Sequence, residues 1–398
     1  MKDLLQDKCR ADLPEAKDFF KDKERADLSG AKVSLKDKLT VFLLAGWILI
    51  FFLGSIVKPD GEMSFSERRP LASAPEISAD AVMDGSFMKK FETYTLDQFP
   101  FRDSFRTVKA ATAFYALGQK DNNDIYLKDG YAEKIEYPLN ESSLSYAAGR
   151  FQFVYDSFLK DAKIPVYFSL IPDKGYFLAN QYGYPAVDYG AFEEQMCGQM
   201  PFAQYVDIMD CLSLEDFYRT DTHWRQEKLV KTAQKLAQGL SVSLSAKYQV
   251  KKADAPFYGV YYGQAALPLP AEPLYYLENE MFSECTVFDF ETNQTMPMYD
   301  LSKTEGKDPY EMFLGGSKSL ITIENPMAST DRELILFRDS FGSSIAPLFV
   351  EAYRKITIVD IRYITPAILG RFIDFSEGKK QALFLYSVPV LNNSVTIK

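Results

Sequence analysis

The sequence is poor in the side chains that most metal and redox centres need. Its 398 residues include one histidine and four cysteines. Cys9, Cys197, Cys211 and Cys285 form no Cys-x-x-Cys pair, which disfavours a Cys/His zinc site; no metal or cofactor is expected. A Cys197–Cys211 disulfide stays open if that part of the chain lies outside the cell. Positive charge is in deficit, with 45 Lys and Arg against 55 Asp and Glu and a net charge of −10. That balance argues against nucleic acid and against general adhesion to anionic surfaces. Charge is missing altogether from Leu39 to Val57.

That uncharged run has no polar stripe, so it reads as a transmembrane helix rather than a buried core helix. Lys32, Lys36 and Lys38 crowd its N-terminal side, whereas Lys58 follows it alone before Arg68 and Arg69. The bias places the N-terminus in the cytoplasm and the residues after 58 outside. The long tail before the run, and the lack of a prompt small-x-small site after it, argue against a cleaved signal.

Four segments follow from this. Residues 1–38 are a cytoplasmic tail in which Asp7 to Leu13 recurs as Asp22 to Leu28; its alternating charges suggest a solvated tether. Residues 39–57 span the membrane. Residues 58–85, with Pro59, Pro70 and Pro75 among charges, read as a linker. Residues 86–398 form the external domain.

Within that domain, helix is expected over most of 86–118, broken at Phe99 to Arg102, followed by a hairpin turning at Asp129-Gly130. From residue 143 helices and strands alternate. Strands are expected at 164–170, 205–209, 333–337, 356–359 and 382–386, and helices at 144–159, 225–240, 343–353 and 366–375. Leu229, Ala233, Leu236 and Leu240 mark one face of the helix over 225–240. Residues 248–318, rich in proline and aromatics, read as an inserted substructure. The alternation implies an α/β fold, a largely parallel sheet with helices on both faces. The 31 Phe and 25 Tyr mostly serve its core.

The lone histidine, His223, lies in Tyr218-Arg219-Thr220-Asp221-Thr222-His223-Trp224. An imidazole titrates near neutral pH, and a carboxylate two residues away can orient it. Ser340, in Arg338-Asp339-Ser340-Phe341-Gly342, falls where a strand ends and a helix begins. Ligands of open α/β sheets gather at such strand ends, and amides at the helix start can stabilise an oxyanion. Each string has a plainer reading: Asp-Ser can be a helix cap, and Thr220, Asp221 or Thr222 an N-cap with His223 packed beside Trp224. Their joint presence on one rim favours a Ser340, His223, Asp221 set.

Further strings occur in order. Ser64 to Ala72 reads Ser-Phe-Ser-Glu-Arg-Arg-Pro-Leu-Ala, and Asp97 to Asp103 reads Asp-Gln-Phe-Pro-Phe-Arg-Asp. Asn122 to Gly130 follows, and Val359 to Tyr363 comes after the Ser340 string. From about residue 60 onward the chain thereby resembles the bacterial family named for its Asp-His-His-Trp motif. That family is similar to the alginate O-acetyltransferase proteins of the SGNH-hydrolase-like superfamily. The resemblance implies a flavodoxin-like core, with Ser340 as nucleophile, His223 as general base and Asp221 as its orienter. It implies oxyanion donors at Ser340 and Gly316, and substrate contacts at Trp224, Tyr218 and Tyr258. The chain departs from the naming motif at Thr222, where the first His would stand, and has Arg338 where the superfamily places a glycine.

The implied protein is an anchored extracytoplasmic O-acetyltransferase or acetylesterase of a bacterial cell membrane. Its substrate would be a cell-surface or secreted polysaccharide, and a membrane-bound O-acyltransferase partner would deliver the acetyl group. The alternative is a non-catalytic glycan-binding or scaffold protein of a polysaccharide assembly machine.

Overall fold

The structure is a computed structural model that describes residues 34–376 and 378–398. The repeated tail and Cys9 lie outside the described residues. The chain divides into two compact units. One runs through Asp60 and includes Gln98–Pro100; the other comprises Gly61–Asp97 and Phe101–Lys398.

The first unit is built on a helix, Leu35–Val57, of 23 residues, long and apolar enough to cross a membrane. It starts before the uncharged run because Ser34 and Asp37 form a capping box that accommodates the lysines of the first turn. None of its residues is buried.

The second unit is organised by one eight-stranded sheet. Its strands are β1 (Val166–Ile171), β2 (Gln204–Tyr205), β3 (Thr286–Asp289), β4 (Gln294–Met296), β5 (Leu320–Glu324), β6 (Glu333–Arg338), β7 (Lys355–Val359) and β8 (Lys380–Ser387). Their spatial order is β4-β3-β5-β7-β6-β8-β1-β2. From β7 to β2 all neighbours are parallel; β4, β3 and β5 add an antiparallel flank. The central strands are apolar on both faces, because helices cover both. Leu334 and Leu336 of β6 face the core that holds Ala233, Leu236 and Ala237 of helix Val230–Gly239. Ile335 and Phe337 face the opposite core, with Leu144, Ala147, Phe151 and Val154 of helix Glu141–Val154.

Several expectations change. Residues 248–318 are not wholly an insert over the core: β3 and β4 join the sheet, and only Gln249–Phe257 and Glu272–Glu278 form a separate two-stranded sheet. The helix over 343–353 is a short α-turn, Gly342–Ile345, continued as a 3-10 turn, Ala346–Phe349. Pro347 lacks the amide that a longer α-helix needs. Residues 58–85 are more than a linker: Met63–Ser64 and Arg69–Pro70 pair as a β-hairpin. Ion pairs hold it. Asp97 takes both guanidinium nitrogens of Arg69 at 2.8 and 2.6 Å, while Glu67 meets Arg102 at 2.7 Å and Arg106 at 3.2 Å. Charges that suggest a solvated linker are the clamp of this hairpin. Cys197 and Cys211, whose pairing the sequence leaves open, are free thiols.

Candidate active site

Ser340 stands at the carboxyl end of β6, in the turn that leads into Gly342–Ile345. Asp339, fully buried, fixes the turn. Its carboxylate accepts the Phe341 amide at 3.0 Å and both the amide and hydroxyl of Ser387, at the end of β8, at 2.8 and 2.7 Å. The rim of two adjacent parallel strands is thereby tied together. Gly342 is required by packing: a Cβ there would lie 2.5 Å from the Cβ of Arg338. Arg338 turns beneath the turn, fully buried, to Asp360 at 3.4 Å and to the carbonyls of Asp339 and Gly316.

The other half of the site is the loop 218–223, closed by a Phe217–Trp224 bridge and by the Tyr218 amide on the His223 carbonyl at 3.1 Å. Distant residues shape it. The Glu272 carboxylate accepts the Arg219 and Thr220 amides, each at 2.9 Å. The buried Lys174 ammonium donates to the Tyr218 and Asp221 carbonyls and pairs with Glu133 at 3.2 Å. Burial pushes the Glu133 carboxyl up to about 8, against the pull of Lys174. Gly259 lies against the loop so closely that a Cβ would sit 2.1 Å from the Thr220 carbonyl oxygen. The next amide, that of Val260, donates to Asp221 Oδ2 at 2.8 Å, so this carboxylate sits at the start of helix Val260–Ala265.

The loop brings the three sequence-marked side chains into line. Asp221 Oδ1 is 2.6 Å from His223 Nδ1, and His223 Nε2 is 2.7 Å from Ser340 Oγ. Asp221 is fully buried and His223 nearly so, while Ser340 is partly exposed. Burial raises the Asp221 carboxyl, but the His223 ring and the Arg68 guanidinium outweigh it and hold the group well below the usual carboxylate range. The imidazole is fixed in orientation by the Tyr310 ring, stacked on it at 3.9 Å and 9°. The chain can therefore pass a proton from a hydroxyl to an oriented imidazole and keep a carboxylate beneath it.

The other marked residues fall elsewhere. Trp224 is fully buried; its indole donates to the Phe341 carbonyl at 3.1 Å and to Ser344 Oγ at 2.9 Å, joining the loop to the Ser340 turn. Tyr218 is fully buried against Phe257. Neither can touch a substrate as expected, because each is an internal strut. The Gly316 amide donates to the Phe313 carbonyl at 3.1 Å within a turn, so it offers no oxyanion donor. The Ser340 amide has no acceptor among the described residues. Tyr258 is exposed and tilts against Tyr262 along a cleft of about 730 Å³ that Arg68 and Pro309 also line.

Lys174, Glu272, Tyr310 and Arg68 escaped the residue-by-residue reading. For Arg68 a signal existed, the charged Ser64 to Ala72 string; the others have no local mark.

No family profile and no curated protein matches the sequence. Solved structures do match in fold. A DHHW family protein from Eubacterium siraeum is 17% identical, over 70% of this chain and 95% of that one, with a TM-score of 0.53. Bacillus cereus PatB1, solved with a sulfonyl adduct, is 17% identical over 67% and 94%, with a TM-score of 0.52. The O-acetyltransferase domain of Pseudomonas putida AlgJ is more remote, 13% identical over 67% and 92%, with a TM-score of 0.42. The chain thus has the fold of the DHHW family protein and of PatB1.

Proposed function

We propose that the chain is a membrane-anchored O-acetyltransferase or acetylesterase that uses Ser340, His223 and Asp221. The observation that carries this reading is the continuous contact from Asp221 through His223 to Ser340, at 2.6 and 2.7 Å. His223 Nε2 takes the Ser340 hydroxyl proton as Oγ bonds to the acetyl carbonyl carbon. The donor oxygen leaves with that proton, and an acetyl-serine remains. A sugar hydroxyl, or water, then loses its proton to His223 and attacks the same carbon. Ser340 Oγ leaves and regains the proton, so the acetyl group ends on sugar or as acetate. The Ser340 amide is the oxyanion donor in this scheme.

The substrate in this reading is a cell-surface or secreted polysaccharide. The helix Leu35–Val57 anchors the chain in a bacterial cell membrane with its N-terminus in the cytoplasm, and a membrane-bound O-acyltransferase supplies the acetyl donor. The exposed Tyr258 over its cleft favours glycan contact and also supports the second reading, a non-catalytic glycan-binding protein.

The test uses the full chain in detergent with 4-nitrophenyl acetate, and with cellopentaose as acceptor. Hydrolysis and acetylated pentasaccharide are expected, with a loss of about a thousandfold or more in Ser340→Ala. Phenylmethylsulfonyl fluoride should modify Ser340, as the adduct in PatB1 suggests. Undiminished hydrolysis in Ser340→Ala removes the serine from its role; retention of cellopentaose without any acetyl transfer or hydrolysis favours the binding protein.

A further inference from the structure

The hairpin that follows the apolar helix reaches the site. Four residues, Phe65 to Arg68, connect its two strands, and the backbone of Ser66 lies where a Cβ on Gly263 would be, 1.4 Å from the Ser66 carbonyl oxygen. Arg106 donates to the Gly263 carbonyl at 2.8 Å and pairs with Glu67, so the same contacts fix the loop and the segment it lies on. Arg68 has a φ of 54°, a conformation that is costly for a residue with a Cβ and that persists where other contacts enforce it. Its side chain is only 11% exposed. The guanidinium lies 3.5 Å from Asp221 Oδ2 and 2.9 Å from Asp308 Oδ1, and donates to the Tyr258 carbonyl at 2.7 Å.

We propose that Arg68 is a positioning residue of the site: it holds Asp221 from behind, through a bridge to Asp308, and thereby sets how readily His223 takes a proton. The proposal rests on His223 as the base. Asp221 Oδ1 serves His223, and Oδ2 is left for Val260 and Arg68. The fork of a guanidinium can serve two carboxylates and a carbonyl at once, which an ammonium does less well. The charged and titratable groups around the imidazole are Asp221, Asp308, Arg68, Tyr310 and, at the serine turn, Asp339. Burial raises the Asp308 carboxyl, and Arg68 opposes that rise. Loss of the Arg68 charge leaves an excess of negative charge beside His223 and favours imidazolium. Loss of the Asp308 charge does the opposite.

The single histidine makes the experiment direct. The full chain in detergent, labelled at histidine with ¹³C and ¹⁵N, gives one imidazole signal to follow against pH. Its midpoint should move up in Arg68→Met, move down in Asp308→Asn, and stay near the parent in Arg68→Lys. With 4-nitrophenyl acetate at a pH on the acid limb, Arg68→Met should lose roughly tenfold in kcat with little change in KM, the consequence of about one unit in a controlling pKa. The acid limb of its rate profile should move to higher pH, and Arg68→Lys should recover much of the rate. A folded Arg68→Met with the parent's midpoint and kcat overturns the proposal. If Arg68→Met does not fold, Asp308→Asn decides: a lower midpoint supports it, and an unchanged one overturns it. Full activity in Ser340→Ala would defeat the acyl-transfer reading instead, and the imidazole titration would still report on Arg68.

Discussion

Ser340 is delivered by a strand and His223 by a loop, and the two are stabilised by different forces. The serine turn rides on β6, buried from Leu334 to Arg338, and the Asp339 carboxylate ties it to the neighbouring strand β8. The loop 218–223 depends instead on groups from four other places in the chain: the side chains of Lys174, Glu272 and Arg68 and the backbone amide of Val260. One half of the site is carried by apolar burial with local capping, the other by a set of desolvated charges. The first should fail as folding fails; the second should fail as geometry fails.

The sharpest way to break that contrast is Asp339→Ala. It removes three hydrogen bonds at the rim and strands the Ser387 amide and hydroxyl away from water. The expected cost is about 3–5 kcal/mol of stability, since each buried donor left unpaired costs about 1–3 kcal/mol. Urea unfolding of the full chain in detergent measures it. A variant with parent stability and lost activity would mean that the serine turn, too, is held for geometry alone.

The loop half predicts a different signature for Lys174. Lys174→Met leaves Glu133 without its partner and two loop carbonyls without their donor. A loss of about 3 kcal/mol is expected, because two buried loop carbonyls lose their donor. Adding Glu133→Leu should restore neither the stability nor the hydrolysis rate, because Asp221 still lacks its support. Glu133 has a pH signature as well. Its carboxyl stays protonated to about 8 in the fold, whereas the ordinary value is 4.5. Stability from this group is therefore full below about 4.5 and declines as pH rises toward 8. Glu133→Gln should flatten that slope in a series of unfolding curves.

The same contrast explains what could be read from residues in order. The sheet strands announce themselves by continuous apolar runs, and the Ser340 turn follows from where β6 stops. Asp221 and His223 are two residues apart, so their pairing is local and visible. Lys174, Glu272 and Tyr310 act across 47, 52 and 87 positions of chain in the contacts they make with Asp221, Thr220 and His223. Nothing local distinguishes such residues from ordinary charged or aromatic ones. The opposite error arose at Trp224 and Tyr218. Aromatic residues beside an Asp-x-His string look like substrate contacts, yet their size makes them the natural fill beneath a buried loop. The linker reading of 58–85 failed for a related reason: Glu67, Arg68 and Arg69 look solvated one by one, and their partners, Arg102, Asp221 and Asp97, lie far along the chain.

The smallest effect concerns Thr222, where the chain leaves the Asp-His-His-Trp pattern. Thr222 lies between Asp221 and His223 but takes no part in the contacts that join Asp221, His223 and Ser340; its side chain hydrogen-bonds Tyr261. The loop charges that hold Asp221 are backbone- and carboxylate-directed, so a change at 222 leaves them intact. Thr222→His should therefore alter kcat for 4-nitrophenyl acetate by less than about threefold, within the range of about 0.5 kcal/mol typical of substitutions that leave a supporting network in place. It also adds a second imidazole signal, which should titrate independently of the parent one. A gain of tenfold or more would place residue 222 among the groups that act on the acetyl ester, and would mean that the loop half of the site is incomplete in this chain.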